Sequence, residues 1–392
     1  MITFNQAYTI LLESASFLGT EHLSLADAAN RILARDVTAD VNIPPFDKAA
    51  MDGYACRRAD LASALTIIET IPAGRMPTLP IGSGQCARIM TGAPVPQGAD
   101  CVVMQEFTTP LSPTTIQFTG RGTEDNIYRL GEDLVTGDTV LRAGTPIGPA
   151  QMAVLASVGD ANPLVARQPR VAVAATGSEL VPTEEHPTGA MIRDSNSIQL
   201  CAQIRATGAI ATRLGIVPDS AEALAATIQT AMGDHDLVLL SGGVSTGAFD
   251  FVPETLRRCG FELLFESVAM QPGKPMVFGQ HPSGVSCCGL PGNPVSSFVV
   301  FELLLKPYLL KRMGHHHTPT LVAARMGERF ERRRADRQLT IPVRFLKPDA
   351  VIPVSYHGSA HIHAMCSAEA LLTIPVGVST IAEGETVHVR LP

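Results

Sequence analysis

The sequence has no tryptophan, no long hydrophobic run and no excess of basic residues. Its 392 residues include 30 Lys and Arg against 37 Asp and Glu, a formal net charge of −7. Nucleic acids and anionic membranes are bound through basic surfaces, so this balance disfavours both as partners. No stretch reaches the roughly 18 apolar residues of a membrane-spanning helix, and the N-terminus lacks the pattern of a signal peptide. We therefore expect a cytoplasmic protein that binds any anionic ligand through local groups.

The eight cysteines are scattered along the chain and form no CxxC pair, which disfavours a disulfide framework or a zinc site. We expect reduced and mostly buried thiols, because free cysteine behaves as a small hydrophobic residue. Cys287 and Cys288 lie in the apolar run GVSCCGL, which predicts a buried strand.

The sequence pattern changes along the chain, as it does in a multidomain protein. The composition is globular, with 45% hydrophobic and 17% charged residues, and the length suggests two to four domains of about 150 residues. Helical spacing over residues 4–18 is followed by a second helical stretch after Ser24. Short β-prone runs separated by Pro and Gly then extend from about residue 43 to 148, and a short helix is predicted at 151–157.

Between Arg170 and about Met313, continuous apolar strands alternate with helices. This pattern is typical of a mostly parallel sheet that is covered on both faces. Ligands of such sheets bind beyond the carboxyl ends of the strands. After residue 314 the chain returns to short β-prone runs, which predict a small β-domain.

Three glycine-bearing loops follow predicted strands of this segment: ATGSEL (175–180), SGGVSTG (241–247) and GLPGNPVSS (289–297). Glycines at the mouth of a strand let backbone N–H groups converge on an anion, and a helix N-terminus adds a favourable partial charge. Each loop alone could be a simple tight turn. Three of them at one sheet edge predict a broad polar crevice, with SGGVSTG as the strongest candidate for a phosphate or carboxylate site.

Four further segments carry charged or titratable groups. QPGKP (271–275) holds Lys274 between prolines, although a lysine in such a loop is more often simply solvated. PPFDKAAMDGYA (44–55) places apolar side chains beside two aspartates, which suggests that it docks against another surface. The histidine triplet 315–317 is interpreted as a solvated linker, and the Glu-Arg-Arg-Arg run 331–334 as a solvated charged face.

Eight segments resemble, in order, the motifs of the molybdopterin molybdenumtransferase family. These bacterial enzymes perform the last step of molybdenum cofactor synthesis, and the C-terminal part of gephyrin is related to them. The segments are PPFDKAAMDGYA, IMTGAPVPQGADCVVMQE (89–106), NIYRLGEDL (126–134), ATGSELV, IRDSN (192–196), SGGVSTGAFD, QPGKP and GLPGNPVS. The resemblance extends over nearly the whole chain.

The resemblance implies a multidomain α/β plus β fold with four parts. These are a helical/β linker domain (1–45 plus 140–168), an inserted β-rich domain (46–139), a central α/β domain (169–314) and a C-terminal β-barrel-like domain (315–392). The central domain would be a three-layer, mostly parallel molybdopterin-binding domain similar to molybdopterin adenylyltransferases. The resemblance also implies an elongated homodimer, whose active cleft combines the central domain of one chain with parts of the other.

The implied reaction takes adenylylated molybdopterin and molybdate, cleaves the phosphoanhydride to release AMP, and leaves molybdenum on the dithiolene. Mg²⁺ held by carboxylates and substrate phosphates would supply positive charge at the cleaved bond. Matching family positions imply the catalytic residues Asp52, Asp133, Glu179, Asp219, Asp250 and Lys274. Among these, Glu179 and Asp250 would hold the metal.

Other family positions imply binding residues. Those for the pterin substrate are Thr91, Ser241, Gly242, Gly243, Ser245, Pro291 and Pro294. Those for molybdate are Lys274, Pro275, Ser296, Arg344 and Ser359. This second set mixes cations and hydroxyls, which suits a tetrahedral oxyanion. A molybdopterin adenylyltransferase and acceptor molybdoenzymes are further implied partners.

Four positions depart from the family pattern and lose charge near the expected cleft. Many members have a lysine in place of Gln271, an acidic residue in place of Ser178, and basic residues in place of Tyr128 and Leu130. The main hypothesis is an Mg²⁺-dependent molybdenumtransferase. Two alternatives stay open: a molybdopterin-binding carrier or scaffold without catalysis, and a molybdopterin adenylyltransferase.

Overall fold

The computed structural model describes residues 1–244, 251–355 and 358–391. Two residues of the expected site, Ser245 and Asp250, lie outside these ranges. Within the described ranges, no helix has both the length and the apolar character that crossing a membrane requires.

A six-stranded sheet forms the centre of the fold. Its strands in chain order are β1 (Arg170–Thr176), β2 (Ile210–Val217), β3 (Leu237–Ser241), β4 (Glu262–Ser267), β5 (Pro275–Gln280) and β6 (Ser286–Leu290). Their order across the sheet is β2-β1-β3-β6-β5-β4. Strands β2, β1, β3 and β6 are parallel, and β5 is antiparallel to both neighbours. The predicted mostly parallel sheet is confirmed.

Helices cover both faces of this sheet. They are Phe4–Ser14, Asn196–Ala206, Ala221–Met232, Val252–Arg258 and Pro294–Val300, the last continuing through a π-helical turn, Phe301–Leu305, into Lys306–Arg312. Alternate residues of β1 face the two layers: Val171 and Val173 join one core, and Ala172 and Ala174 join the other. This double burial explains why the strands are apolar throughout.

The first helix packs on the central core rather than on its sequence neighbours. It ends at Ser14, four residues before the predicted end, and Ala7 and Leu11 are fully buried in the larger core of the central domain. The boundary of the linker domain at residue 45 stays a prediction.

Two distant segments share the core of the linker. Thr20–His22 pairs with Leu164–Ala166, and Val37–Thr38 pairs with Thr139–Leu141. The predicted helix at 151–157 is present as Pro149–Ser157.

The second helical stretch predicted after Ser24 is wrong. Only a 3-10 turn forms, Leu25–Asp27. The Ser24 hydroxyl donates to the Asp27 carboxylate (2.7 Å) and makes no capping bond to the backbone. Backbone hydrogen bonds then tie Asn30 and Leu33 to the segment at 145–147, which replaces helical pairing.

The inserted domain is a β-sheet with short flanking pairs. Across the six-stranded sheet, the order is Cys101–Met104, Gly53–Cys56, Gln85–Ile89, Ala64–Ile71, Thr115–Phe118 and Thr108–Ser112. A separate pair joins Lys48–Ala49 to Ile127–Tyr128. The β-rich character predicted for this segment is confirmed.

The cysteines are unbonded and mostly buried, as expected. Six are buried, Cys259 is half-buried and Cys366 is exposed. Cys287 and Cys288 lie on β6 with no exposure, and burial raises the pKa of the Cys86 thiol to about 12. Such thiols stay protonated and unreactive at neutral pH.

The C-terminal domain is a small closed barrel. Its five strands are, in barrel order, Gln338–Lys347, Ala350–Pro353, Leu321–Met326, Thr386–Arg390 and Ala370–Ile374, and the last pairs again with the first. The outer pair Phe330–Glu331 and Thr380–Ile381 and the 3-10 turn Ile362–Ser367 complete the domain. The short strand Met270–Gln271 adds to Gln338–Lys347 and joins the barrel to the central domain. The barrel-like prediction is confirmed.

The histidine triplet is a structural joint rather than a solvated linker. His315 and His317 are half-buried. The His315 Nδ1 atom lies 2.8 Å from the carbonyl oxygen of Gly144, and His317 Nε2 accepts from Arg390 (3.2 Å). The triplet therefore connects the linker, the helix Lys306–Arg312 and the last strand of the barrel.

The Glu-Arg-Arg-Arg run is only partly solvated, which corrects the prediction at Arg332. Its guanidinium donates to the carbonyl oxygens of Val378 (2.6 Å) and Arg337 (2.8 Å). Partial burial lowers its pKa. This side chain ties two loops of the barrel domain together.

Candidate active site

A cavity of about 300 Å³ opens at the carboxyl ends of β1, β3 and β6. The chain passes from β1 outward to β2 and then returns across β1 to β3. The cavity thus lies where the strand order reverses, the position at which open α/β sheets bind ligands. Its described lining is Ala175, Thr176, Glu179, Leu180, Ile192, Arg193, Asp194, Ser195, Asn196, Ser241, Gly292, Asn293, Pro294, Ala360 and Ile362. All three glycine-bearing loops contribute, so the predicted polar crevice is confirmed for the described residues.

The first loop, after β1, presents Glu179 to the cavity. The backbone N–H of Ser178 donates to the Asp219 carboxylate (2.9 Å), which fixes the loop just before Glu179. The following strand, Leu180–Val181, pairs in parallel with Ile192–Arg193. Asp219 therefore lies beside the cavity and holds the segment that carries Glu179.

The second loop, after β3, needs glycine for its path. Gly242 and Gly243 have φ values of +109° and +65°. A side chain at Gly242 would overlap the carbonyl oxygen of Thr176. The Gly242 N–H donates to Leu290 O (2.9 Å), so this residue brings β1, β3 and β6 together and its own amide is already used.

The third loop, after β6, begins the helix that closes one side of the cavity. Ser297 Oγ donates to Pro291 O (2.6 Å), and Pro294 occupies the first turn, where a missing N–H costs little. Asn293 Nδ2 donates to Ser359 Oγ (2.9 Å), and Val295 N donates to Ser359 O (3.0 Å). The barrel domain thereby covers this end of the cavity.

Asn196 is a central residue of the cavity that was not predicted from the sequence. Its Nδ2 donates to Ser241 Oγ (2.8 Å) and to Gly292 O (2.7 Å). One side chain thus links the second loop, the third loop and the first residue of the helix Asn196–Ala206. The signal was present in the IRDSN motif, but spacing alone did not indicate which atoms the asparagine would reach.

Asp194 of the same motif is structural. It is 1% exposed, and it accepts from the N–H of Ser197 (3.0 Å) and from Arg213 (3.0 Å). This buried ion pair fixes the start of the helix that carries Asn196. Because Asp194 is buried and paired, Glu179 is the exposed carboxylate among the described lining residues.

The carboxylates of the described residues suit a Mg²⁺ ion only if substrate oxygens complete the site. No group of three His, Cys, Asp or Glu side chains there has the spacing of a metal centre. Mg²⁺ is commonly held by one or two carboxylates together with substrate phosphates. Glu179 at the cavity wall fits that donor set, and its expected partner Asp250 lies outside the described residues.

Asp52 and Thr91, both expected site residues, form a direct pair in the inserted domain. Thr91 N and Oγ1 both donate to Asp52 Oδ1, at 2.7 and 2.6 Å. These hydrogen bonds lower the pKa of Asp52. Asp133 is exposed in the bend that precedes Leu134. None of the three belongs to the described lining of the cavity in the same chain.

The expected molybdate residues are dispersed around the central domain. Because β5 is antiparallel, Lys274 and Pro275 at its start lie at the same sheet edge as the ends of β3 and β6. Ser296 is buried in the first turn of the helix after β6, and Arg344 is exposed on the barrel. Ser359 contacts the cavity loop, but Lys274, Ser296 and Arg344 are absent from the described lining.

The four departures from the family pattern are all surface positions. Ser178 and Gln271 are exposed, and Tyr128 and Leu130 are 49% and 53% exposed. The Lys48 ammonium lies 5.4 Å from the Tyr128 ring, so a cation remains next to one of the lost charges.

Comparison with known proteins gives consistent matches along the chain. The MoeA N-terminal region (domain I and II) matches residues 2–159, a probable molybdopterin binding domain matches 172–311, and the MoeA C-terminal region (domain IV) matches 323–391. A molybdopterin molybdenumtransferase of Bacillus subtilis is 33% identical over 387 residues, which cover 95% of this chain and 90% of the relative. The chain belongs to the molybdopterin molybdenumtransferase family.

Other family members agree with this assignment. The molybdopterin molybdenumtransferase of Haemophilus influenzae is 39% identical over 318 residues, covering 80% of this chain and 78% of the relative. The crystal structure of the molybdopterin biosynthesis moeA protein from Pyrococcus horikoshii OT3 aligns over the whole of both chains with a TM-score of 0.86 at 28% identity.

Membership confirms the predicted resemblance and the multidomain α/β plus β fold. The roles of individual side chains in this member of the molybdopterin molybdenumtransferase family stay predictions.

Proposed function

We propose that this protein takes adenylylated molybdopterin and molybdate, releases AMP and leaves molybdenum on the dithiolene of the pterin. The observation that carries the proposal is the cavity itself. Most of its described lining lies in the part of the chain that matches the probable molybdopterin binding domain, and four of the family's motifs contribute to its walls. The names of the curated relatives favour a transferase over a carrier or an adenylyltransferase.

The described residues would act mainly by binding and orientation. The glycine-bearing loops and the helix that begins at Pro294 would place backbone dipoles around the phosphates. Asn196 and Asp219 would keep these loops at a fixed spacing, because each bonds directly to loop atoms. Glu179 and Asp250 would hold Mg²⁺, which supplies positive charge to the phosphates when it is bound. Lys274, Pro275, Ser296, Arg344 and Ser359 would serve molybdate.

We also propose a homodimer in which the inserted domain of one chain faces the cavity of the other. The support is that Asp52, Thr91 and Asp133 lie outside the cavity lining of their own chain. Exposed apolar side chains next to these residues, Met51 and Leu130, suit a surface that is covered by a second chain. A molybdopterin adenylyltransferase would supply the substrate, and acceptor molybdoenzymes would receive the product.

Molybdate-dependent AMP release tests the proposed reaction. Purified protein would be given adenylylated molybdopterin, with and without Mg²⁺ and with and without molybdate, and AMP would be measured. We expect release that requires both additions and falls at least tenfold in Glu179→Gln. Glu222→Gln, an exposed carboxylate on the helix Ala221–Met232, is the matched control and should retain activity.

The alternatives predict different outcomes of the same assay. Pterin binding without AMP release would select the carrier. ATP-dependent adenylylation of molybdopterin by this protein alone would select the adenylyltransferase.

A further inference from the structure

Arg193 brings positive charge to the wall of the cavity. It lies on the short strand Ile192–Arg193, which is held in register beside Leu180–Val181. Among the described lining residues it is the single Lys or Arg. The cations expected from the sequence, Lys274 and Arg344, do not belong to that lining.

The guanidinium of Arg193 is anchored but not neutralised. Its Nε donates to the backbone carbonyl of Glu185 (3.0 Å). No carboxylate of the described residues lies within ion-pair distance of it, including Glu179, which lines the same cavity. Asp194, the next residue, is already paired with Arg213. Among the described residues, none forms an ion pair with Arg193, so its two terminal nitrogens are available to bind a ligand.

A guanidinium in this state is suited to an oxyanion. Its planar fork can donate two parallel hydrogen bonds, and such charge-assisted bonds are about twice as strong as neutral ones. The anchor at Nε reduces the rotational freedom that a long side chain would otherwise lose on binding. Phosphate is favoured over molybdate here because the cavity lies at the strand ends, where α/β domains hold phosphorylated ligands.

We propose that Arg193 binds a phosphate of the nucleotide half of the substrate and is a specificity-determining residue of this cavity. The identity of the ligand rests on the proposed function. The phosphate that remains on AMP after cleavage would keep this contact, so AMP alone is a sufficient probe.

Calorimetric titration of the full-length protein with AMP, adenosine and molybdate tests this assignment. We expect Arg193→Gln to weaken AMP binding about tenfold or more, which is the effect of losing a charge-assisted hydrogen bond. Adenosine and molybdate binding should not change. Arg193→Lys should recover part of the AMP affinity, since it keeps the charge but loses the fork.

Arg205→Gln is the matched control for this experiment. Arg205 is exposed on the helix Asn196–Ala206 and contacts only a backbone carbonyl, that of Ala211, among the described residues. It lies about 13 Å along the helix from Asn196 at 1.5 Å per residue. AMP affinity should be the same in this variant as in the unmodified protein. The thermal midpoint should also be unchanged in both glutamine variants.

The outcomes separate this inference from the proposed reaction. Equal AMP affinity in Arg193→Gln and Arg205→Gln, or no AMP binding by the unmodified protein, would overturn the assignment of Arg193. A loss of molybdate affinity instead of AMP affinity would overturn the choice of phosphate. Arg193-dependent AMP binding without any turnover of adenylylated molybdopterin would support the assignment while refuting the proposed reaction.

Discussion

Replacement of Asn196 by alanine should damage the cavity more than it damages the fold. The substitution removes the hydrogen bonds to Ser241 Oγ (2.8 Å) and Gly292 O (2.7 Å). Both residues line the cavity, but Ser241 is only 2% exposed, so water can replace the lost hydrogen bond less well at its hydroxyl than at the exposed Gly292 carbonyl.

The expected loss of stability follows from these two contacts. A hydrogen bond contributes about 1 kcal/mol net, and the more exposed one contributes less because water replaces it. The variant should therefore lose about 1 to 2 kcal/mol of unfolding free energy. At roughly 2 to 4 °C per kcal/mol for a unit of 150 to 250 residues, the thermal midpoint should fall by about 2 to 8 °C.

The effect on turnover should be larger, because Asn196 sets the spacing of two loops that we assign to the substrate. Small displacements of binding groups cost large factors in rate, and we expect kcat/KM for AMP release to fall at least tenfold. Gln168→Ala is the matched control. Its side chain donates to Gly208 O (2.6 Å) at the opposite end of β1, so it should cost similar stability and leave kcat/KM unchanged. Equal kcat/KM in the two variants would refute the positioning role of Asn196.

Gly242→Ala should cost about 3 kcal/mol, because its φ of +109° and the overlap with Thr176 O both oppose a side chain. Gly284→Ala, also at positive φ but with open space around it, should cost only about 1 kcal/mol in a urea titration, and equal losses would contradict the overlap argument. Partial burial and then the charge of Arg390 lower the pKa of His317 to about 4, so the folded protein favours the neutral ring. Stability from this group is complete above the unfolded pKa of about 6.5 and is lost as pH falls towards 4. The unmodified protein should therefore lose about 1 kcal/mol more than His317→Gln between pH 7 and pH 5, after allowance for solvent screening, and parallel pH profiles would contradict this.

The layered centre of the fold could be predicted from sequence because its signals are local and repeated. Apolar strands of β1, β3 and β6 are buried on both faces, and each is followed by a glycine-bearing loop. The carboxyl ends of parallel strands lie at the same edge of a sheet, so the meeting of these loops at one edge could be predicted from the sequence.

Contacts between distant segments could not be predicted in this way. The hydrogen-bond partners of Asn196 and Arg193 are known only when the fold places β3, the loop after β6 and residue 185 beside these side chains. The helix Phe4–Ser14 has the spacing of any amphipathic helix, and nothing local indicates that it packs on the central core. The histidine triplet resembles a linker in composition, whereas its hydrogen bonds come from segments more than 70 residues away.

The stoichiometry of one reaction tests the proposed function most directly. Adenylylated molybdopterin would be incubated with the protein, Mg²⁺ and molybdate, and both AMP and pterin-bound molybdenum would be measured as the reaction proceeds. We expect AMP and pterin-bound molybdenum to appear together in equal amounts, and neither to appear when molybdate is omitted. AMP release that is independent of molybdate, or molybdenum bound without AMP release, would contradict the proposed function.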